Sequence, residues 1–251
     1  MITKNQAKYI QSLSHKKFRD EEGVFVAEAP KTVSELIGLP HMRPRFVFGL
    51  EEWWSQHPSW KAESWAHTIS ADELERISFL KTPNQVLAVF QKPDLETVPG
   101  AWQLLLDGIQ DPGNMGTIIR IADWFGIQQI ICSEDCADAF NPKVVQSTMA
   151  SIGRVELIYT DLVAYVKAHP HRDFIAATLD GSPVRSSKVH HPASLVIGNE
   201  SRGIRPELKG LLRHFVTIPR IGQAESLNAA VATGILLSHL ADAEPHGTKH
   251  K

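Results

Sequence analysis

Three stretches of this chain place polar side chains where an apolar run stops. The first is LLLDGIQDPGNMGTIIRIADWFGI, Leu104 to Ile127. Leu104, Leu105 and Leu106 show no polar alternation, which predicts a strand covered on both faces. Asp111, Pro112, Gly113 and Asn114 break the run, with Asn114 as the expected N-cap of the following helix. That helix repeats apolar residues at Ile118, Ile119, Ala122 and Phe125, stops at Gly126, and carries Gly116 and Arg120 in its first turns. A polar loop at the carboxyl end of a parallel strand is where open α/β sheets bind ligands. Arg120 offers such a site a permanently charged guanidinium, able to bind phosphate or to stabilise a developing oxyanion but not to act as a base. The plainer alternative is a structural salt bridge, with Glu200 as the partner. The second stretch, LVIGNESRGIRPEL (Leu195 to Leu208), is another buried strand that opens into a loop holding Gly198, Asn199 and Glu200, with Pro206 at a helix start. The third, VTIPRIGQAESLNAAVATGILLSHL (Val216 to Leu240), runs from a strand through Ile218 and Pro219 to a loop at Gly222 and a long apolar helix. Ser226 and Asn228 are expected to begin that helix, where unpaired backbone N–H groups favour acceptors. Ser226 reads as its cap, whereas Asn228, one step further in, is harder to read as one.

The elements around these stretches alternate. Residues from about Ile2 to Leu13 read as a helix, VFVAE as a strand, the run through Val33, Leu36 and Ile37 as a helix, RFVFGL as a strand, ADELERISFL as a helix and QVLAVF as a strand. This predicts a small α/β domain over residues 1–91. KPDLETVPG, residues 92–100, is proline-bearing and aperiodic and reads as a linker. Over 101–243, QQIIC, VELIY and DFIAATL read as strands and NPKVVQSTMAS and DLVAYVKAH as helices, so a mostly parallel sheet with helices on both faces is expected. The tail 244–251 reads as disordered.

Composition narrows the classes. With 251 residues, 22% charged and 43% apolar, and a formal net charge of −2, the chain is ordinary globular protein without a global nucleic-acid signature. Locally, Lys4, Lys8, Lys16, Lys17 and Arg19 precede the first acidic residue, Asp20. They form either a solvated helix face or a phosphate-contacting surface. The two cysteines, Cys132 and Cys136 in CSEDC, are not spaced as a zinc knuckle and read as free thiols. Histidines at 169, 171, 190, 191, 246 and 250 lack carboxylate or thiol companions at ligand spacing, so no metal is expected. There is no apolar run of membrane-spanning length, which points to a cytoplasmic protein. The absence of G-x-G-x-x-G after any assigned strand argues against a dinucleotide enzyme and against the commonest Rossmann-like methyltransferases. No Gly-x-Ser-x-Gly elbow is present either.

Taken in order, the three stretches resemble the motifs of the SpoU (TrmH-type) RNA 2′-O-ribose methyltransferases of the SPOUT superfamily. Asn114, Gly116 and Arg120 stand as that family's Asn-x-Gly-x-x-x-Arg core after an Asp-Pro-Gly turn. Gly198, Asn199, Glu200 and Gly203 match its second motif, and Ile218, Pro219, Gly222, Ser226, Leu227 and Asn228 its third. Arg220, where the family often has Met, and Ala229-Ala230, in place of Val-Ser, depart from the pattern. The first domain resembles the L30e-like substrate-binding domain of many SpoU proteins, with FVAEAPKTVSEL similar to a Phe-Val-Glu-Gly-Lys segment, although Ala29 and Pro30 occupy its Gly region. The resemblance implies a carboxyl-terminal trefoil knot, which general topology rules would not predict. It implies S-adenosyl-L-methionine (SAM) as co-substrate, held in knot loops at Thr178, Gly198, Ile218 and Leu227. Alone, Gly198 would read as a strand-end turn glycine, and Ile218 and Leu227 as core. It implies catalytic roles for Asn114, Arg120, Glu200, Ser226 and Asn228, and it tips the amino-terminal basic run toward RNA contact. It further implies a homodimer, for which the helix Leu227–Leu240 is the candidate contact. The expected activity is methylation of a ribose 2′-hydroxyl in structured RNA, rRNA in preference to tRNA. The alternatives are a tRNA enzyme, a base-methylating SPOUT branch, or a non-catalytic RNA-binding or ribosome-assembly factor that keeps the fold.

Overall fold

The computed structural model describes residues 2–95, 97 and 100–241. The expected tail, 244–251, and Glu96, Val98 and Pro99 of the expected linker lie outside the described residues. The chain divides into two compact units, one of Met1–Leu95 with Asp138–Arg154, the other of Glu96–Ala137 with Val155–Lys251.

The first unit begins with α1 (Lys4–Ser12), α2 (Lys16–Glu22), β1 (Val24–Glu28), α3 (Pro30–Ile37), β2 (Pro44–Gly49), α4 (Glu51–Ser55), α5 (Pro58–Lys61), β3 (Ala66–Thr68), α6 (Ala71–Ile77) and β4 (Val86–Gln91). Its sheet has the order β1-β4-β2-β3, with β4 antiparallel to both neighbours and β3 parallel to β2. Side chains alternate across it. Val24, Val26, Leu87 and Val89 meet Ile10 and Leu13 of the α1 region and Leu74 and Ile77 of α6. Phe25, pointing the other way, stacks on Phe90 with ring centroids 5.7 Å apart. Thr3 with Gln6 and Ser70 with Glu73 form capping boxes that start α1 and α6. Four elements, α2, α4, α5 and β3, have no counterpart among those expected. They are short, and α2 (KKFRDEE) has no apolar period to betray it.

The second unit contains β5 (Trp102–Asp107), α7 (Pro112–Trp124) and β6 (Gln129–Cys132). The chain then leaves it for α8 (Pro142–Thr148) of the first unit. It returns with β7 (Glu156–Tyr159), α9 (Leu162–Ala168), β8 (Asp173–Pro183), β9 (Ala193–Gly198), α10 (Pro206–Lys209), β10 (His214–Thr217) and α11 (Ala229–Leu240). The sheet order is β10-β8-β9-β5-β6-β7, and every pairing is parallel. Leu162 and Val166 of α9, with Leu208 and Leu212, pack on Leu105, Ile131, Val196 and Ala176. α7 and α11 pack together, α7 against β6 and α11 against β9. β5 starts the sheet and β9 returns to lie beside it, with Asp107 paired to Gly198 at their carboxyl ends. This is the kind of crevice in which open parallel sheets bind ligands.

Two expectations change. The helix read in NPKVVQSTMAS was expected beyond the linker, in the second domain, but α8 packs in the first unit. Phe140 lies 5.2 Å from the Phe25 ring and Val144 and Val145 are buried. Arg19, expected among the RNA-contacting cations, is only 1% exposed. It donates to the carbonyls of Leu13 (2.7 Å) and Ser14 (2.8 Å) and forms an ion pair with Asp138. A buried guanidinium must be matched in this way, so Arg19 is a structural cation. Lys4, Lys8, Lys16 and Lys17 remain exposed, with Lys16 paired to Asp20 and Lys17 to Glu21 one helical turn on. Arg19→Met is therefore expected to lower the unfolding free energy by about 3 kcal/mol, because it strips Asp138 and two carbonyls of their donor. Lys8→Met, at an exposed position, should change it by less than about 0.5 kcal/mol. Urea titration of the two variants checks the contrast, and equal small effects would return Arg19 to the surface.

Candidate active site

The site assembles where β5, β9 and the loop before α11 end. β5 finishes on Asp107, 1% exposed, and Gly108 turns the chain with φ of +74°, a conformation that favours glycine. Asp111, not Asn114, caps α7. Its Oδ1 accepts the Asn114 backbone N–H at 2.8 Å, and Pro112 fills the first helical position, where no N–H is needed. Asn114 is thus inside the helix, and its side-chain amide is available to other partners.

The amide is used by the other two motifs. Asn114 Nδ2 donates to Glu200 Oε1 at 2.7 Å, and Asn114 Oδ1 accepts from Asn228 Nδ2 at 2.7 Å. Asn228 is the N-cap of α11, its Oδ1 accepting from Ala230 N (3.0 Å) and Val231 N (3.2 Å). With its oxygen committed to the helix, Asn228 presents its NH₂. Asn114 must then answer with its oxygen and turn its own NH₂ to the carboxylate. The cap therefore sets the direction of the whole relay. The expectation that Asn228 lies within the helix is corrected. Ser226 does not begin the helix either; it is exposed in the loop before it.

The loop after β9 is held independently. Asn199 and Gly203 exchange backbone hydrogen bonds of 3.0 and 2.8 Å, and Asn199 Oδ1 accepts from Ser201 N and Arg202 N. Asn199 Nδ2 donates to the Gly108 carbonyl at 2.7 Å, tying the second motif to the first. A Cβ on Gly198 would fall 2.3 Å from the Gly203 carbonyl carbon, so this glycine is required by the tight loop itself. The loop ends on Arg205, whose N and Nε donate to the two Asp107 carboxylate oxygens at 2.8 and 2.6 Å. Its Nη2 reaches Asp135 Oδ1 at 2.7 Å. Burial alone would lower the Arg205 pKa, but Asp107 and then Asp135 outweigh it and raise it. The Ser133 hydroxyl, followed by Arg205, holds the Asp135 carboxyl below its ordinary range. Ser133 Oγ also accepts the Gly108 N–H at 2.8 Å. Sequence reasoning missed Asp107, Ser133, Asp135 and Arg205. The one visible signal was an aspartate ending an otherwise apolar strand.

Arg120 is exposed on α7, and no ion pair joins it to Glu200 among the described residues. The carboxylate is engaged by Asn114 instead. Of the residues expected to hold a cofactor, Ile218 is half-buried and Leu227 is 46% exposed, so Leu227 is not core. Thr178 Oγ1 is buried without a well-formed hydrogen bond, although the hydroxyl is near enough to be the chief influence holding the Asp180 carboxyl low. Leu179 of β8 and Ile221, in the segment after β10, are also exposed. Cys132 and Cys136 are both buried and unbridged. Among the described residues no three His, Cys, Asp or Glu side chains gather as a metal-binding group, and no helix is long and apolar enough to cross a membrane.

Residues 101–238 match the SpoU rRNA Methylase family. The chain belongs to that family. Residues 4–88 match the MRM3-like substrate binding domain, so this SpoU methylase carries both parts. It is 31% identical to the 23S rRNA (guanosine(2553)-2′-O)-methyltransferase RlmP of Bacillus subtilis, over 94% of this chain and 96% of that one. It is 27% identical to the mitochondrial rRNA methyltransferase 3A of Danio rerio, over 88% of this chain and 64% of the relative. Among solved structures, a protein assigned to the TrmH family of RNA methyltransferases from Porphyromonas gingivalis superposes with a TM-score of 0.84 at 36% identity, over 97% of this chain and all of that one. The AdoMet-bound rRNA methyltransferase of Sinorhizobium meliloti does so with a TM-score of 0.84 at 28% identity, over 97% and 96% of the two chains.

The corrected cap assignment has a direct test. Asp111→Ala should cost this SpoU methylase about 1 kcal/mol of stability, the usual loss for an N-cap. Asn114→Ala, which leaves the cap intact, should cost less than half of that. Thermal unfolding in which Asn114→Ala is the more damaging change would put the cap back on Asn114.

Proposed function

We propose that this protein transfers a methyl group from SAM to a ribose 2′-hydroxyl of ribosomal RNA. The observation that carries the reading is the Asn228–Asn114–Glu200 relay, which joins all three motifs at the crevice beside α7. The AdoMet-bound S. meliloti relative and the 23S rRNA activity named for the B. subtilis relative support the co-substrate and the RNA class. Ribosomal RNA is favoured over tRNA on the same ground, and a scaffold without activity would not need the relay.

The chain's own loops suit the co-substrate. Thr178 offers a buried hydroxyl lacking a well-formed partner, and the half-buried Ile218 and the exposed Leu227 offer apolar surface. Gly198 shapes the loop between them. These four residues would hold SAM. When bound, SAM supplies a methyl group already activated on a sulfonium. What remains for the protein is alignment of the 2′-hydroxyl and relief of the charge that develops on its oxygen. Arg120, charged and exposed, binds the phosphate next to the target ribose and stabilises the developing oxyanion, while a phosphate oxygen or water takes the proton. Glu200, oriented by Asn114, positions the ribose. Asn114 and Asn228 act as positioning residues, and Ser226, exposed in the loop before α11, contacts the substrate. Lys4, Lys8, Lys16 and Lys17 supply RNA-phosphate contacts.

The assembly proposed is a cytoplasmic homodimer with a knotted second unit. Trp124, 85% exposed at the end of α7, and Val231, 51% exposed on α11, are apolar side chains that a second copy would cover. Light scattering on the purified protein should give twice the chain mass at micromolar concentration, and a stable monomer would remove the dimer from the reading. Activity is tested with labelled SAM and rRNA from a strain lacking the protein, with tRNA alongside and digestion to nucleosides. Label is expected in a 2′-O-methylated nucleoside of rRNA and should fall about 10²–10³-fold in Arg120→Ala. Near-full turnover by Arg120→Lys would sink the planar phosphate–oxyanion role, and label on a base would move the protein to another branch.

A further inference from the structure

A polar recess in the second unit is lined by none of the polar motif residues. Its volume is about 330 Å³, and its lining includes Lys188, Arg213, His214, Ser182, Ser187 and Phe215. Asn114, Arg120, Glu200 and Asn228 are not among its lining residues, nor are Thr178, Gly198, Ile218 and Leu227. The fold builds it by a jump in strand register. Phe215 of β10 pairs with Ala176 of β8, whereas Val216 pairs with Ser182, so the chain between the two pairings bulges out and the Ser182–Lys188 segment is brought beside β10. Gly181 permits this approach, since a Cβ there would fall 2.6 Å from the Val216 backbone. Buried Ile175 and Val216 form the apolar part of the lining.

The charge in the recess is unbalanced. His214 Nδ1 is 2.7 Å from Asp173 Oδ1, so the nearby carboxylate is already engaged. Lys188 and Arg213 are exposed, and among the described residues neither has an ion-pair partner. Two cations without ion-pair partners, with the Ser182 hydroxyl in the same lining, suit a phosphate, which takes both charge-assisted and hydroxyl hydrogen bonds. A recess of this size also has room for the sugar attached to it.

We propose that this recess seats a phosphodiester of the RNA substrate at a nucleotide other than the one methylated. The proposal rests on the RNA methyltransferase reading above and deepens it. Its role is to fix the register of the strand, so it contributes affinity and alignment rather than chemistry.

The test uses the full-length protein, a 23S rRNA transcript in filter binding across a salt series, and SAM binding by calorimetry. Lys188→Ala/Arg213→Ala should weaken rRNA binding about tenfold or more at low salt and reduce the slope of log Kd against log salt by about 1–2, with SAM affinity unchanged. Lys188→Arg/Arg213→Lys, which keeps the charge, should restore most of the binding. Unchanged rRNA affinity and slope in the alanine variant, with SAM still bound, would overturn the proposal. Failure of the wild-type protein to bind either SAM or rRNA would instead overturn the reading on which it rests. AMP serves as the probe for a small phosphate ligand. AMP binding lost in the alanine variant while rRNA affinity stays the same would overturn the RNA assignment in favour of a free nucleotide.

Discussion

A carboxylate at the end of a buried strand has to be paired, and much of the site follows from how Asp107 is satisfied. It is 1% exposed, at the carboxyl end of a strand with sheet neighbours on both sides. An unpaired charge there would be costly. Arg205 meets it with a backbone N–H and with Nε, then extends to Asp135. Ser133 links Asp135 to the Gly108 N–H, and Asn199 links the Gly108 carbonyl to the loop after β9. That loop is consequently anchored at both Asn199 and Arg205, and the exposed Glu200 between them is presented from a fixed base.

The relay on top of this base gets its direction from a helix end. α11 leaves unpaired N–H groups at its start, and the Asn228 oxygen takes two of them. Every later donor and acceptor choice, through Asn114 to Glu200, follows from that. Asp111 plays the complementary part on α7, because by capping the helix it releases Asn114 for the relay. Two ordinary caps thus convert three loops into one polar arrangement, and they leave Arg120 outside it with its charge unspent.

Positive charge in the first unit is divided by burial. Arg19 and Lys17 are two positions apart in one short helix, yet Arg19 is enclosed with carbonyls and Asp138, while the Lys17 side chain is 76% exposed. A basic run read as one surface is therefore two things, a structural cation and a set of solvated lysines. The Asp138 that decides this is 119 residues away in sequence.

The sequence by itself determined the longer elements and the motif positions, but not the short α2, α4, α5 and β3. Leu104–Leu106 and Leu195–Ile197 are continuous apolar runs that suit only strands covered on both faces, and the matched Asn, Gly, Glu and Arg residues lie at the strand end, in the loop or on the helix that follows. Local periodicity and turn chemistry suffice for this, because they depend on neighbours within a few residues. Which side chains meet was decided by the tertiary structure. Choosing Asp111 over Asn114 as a cap depends on the backbone angle at one residue. The Asp107–Arg205 pair spans 98 positions, and α8 joins the first unit although it follows strands of the second. Charges and amides carry no periodic signal of their partners; only the sheet order, by setting β9 beside β5, brings those partners within hydrogen-bonding distance.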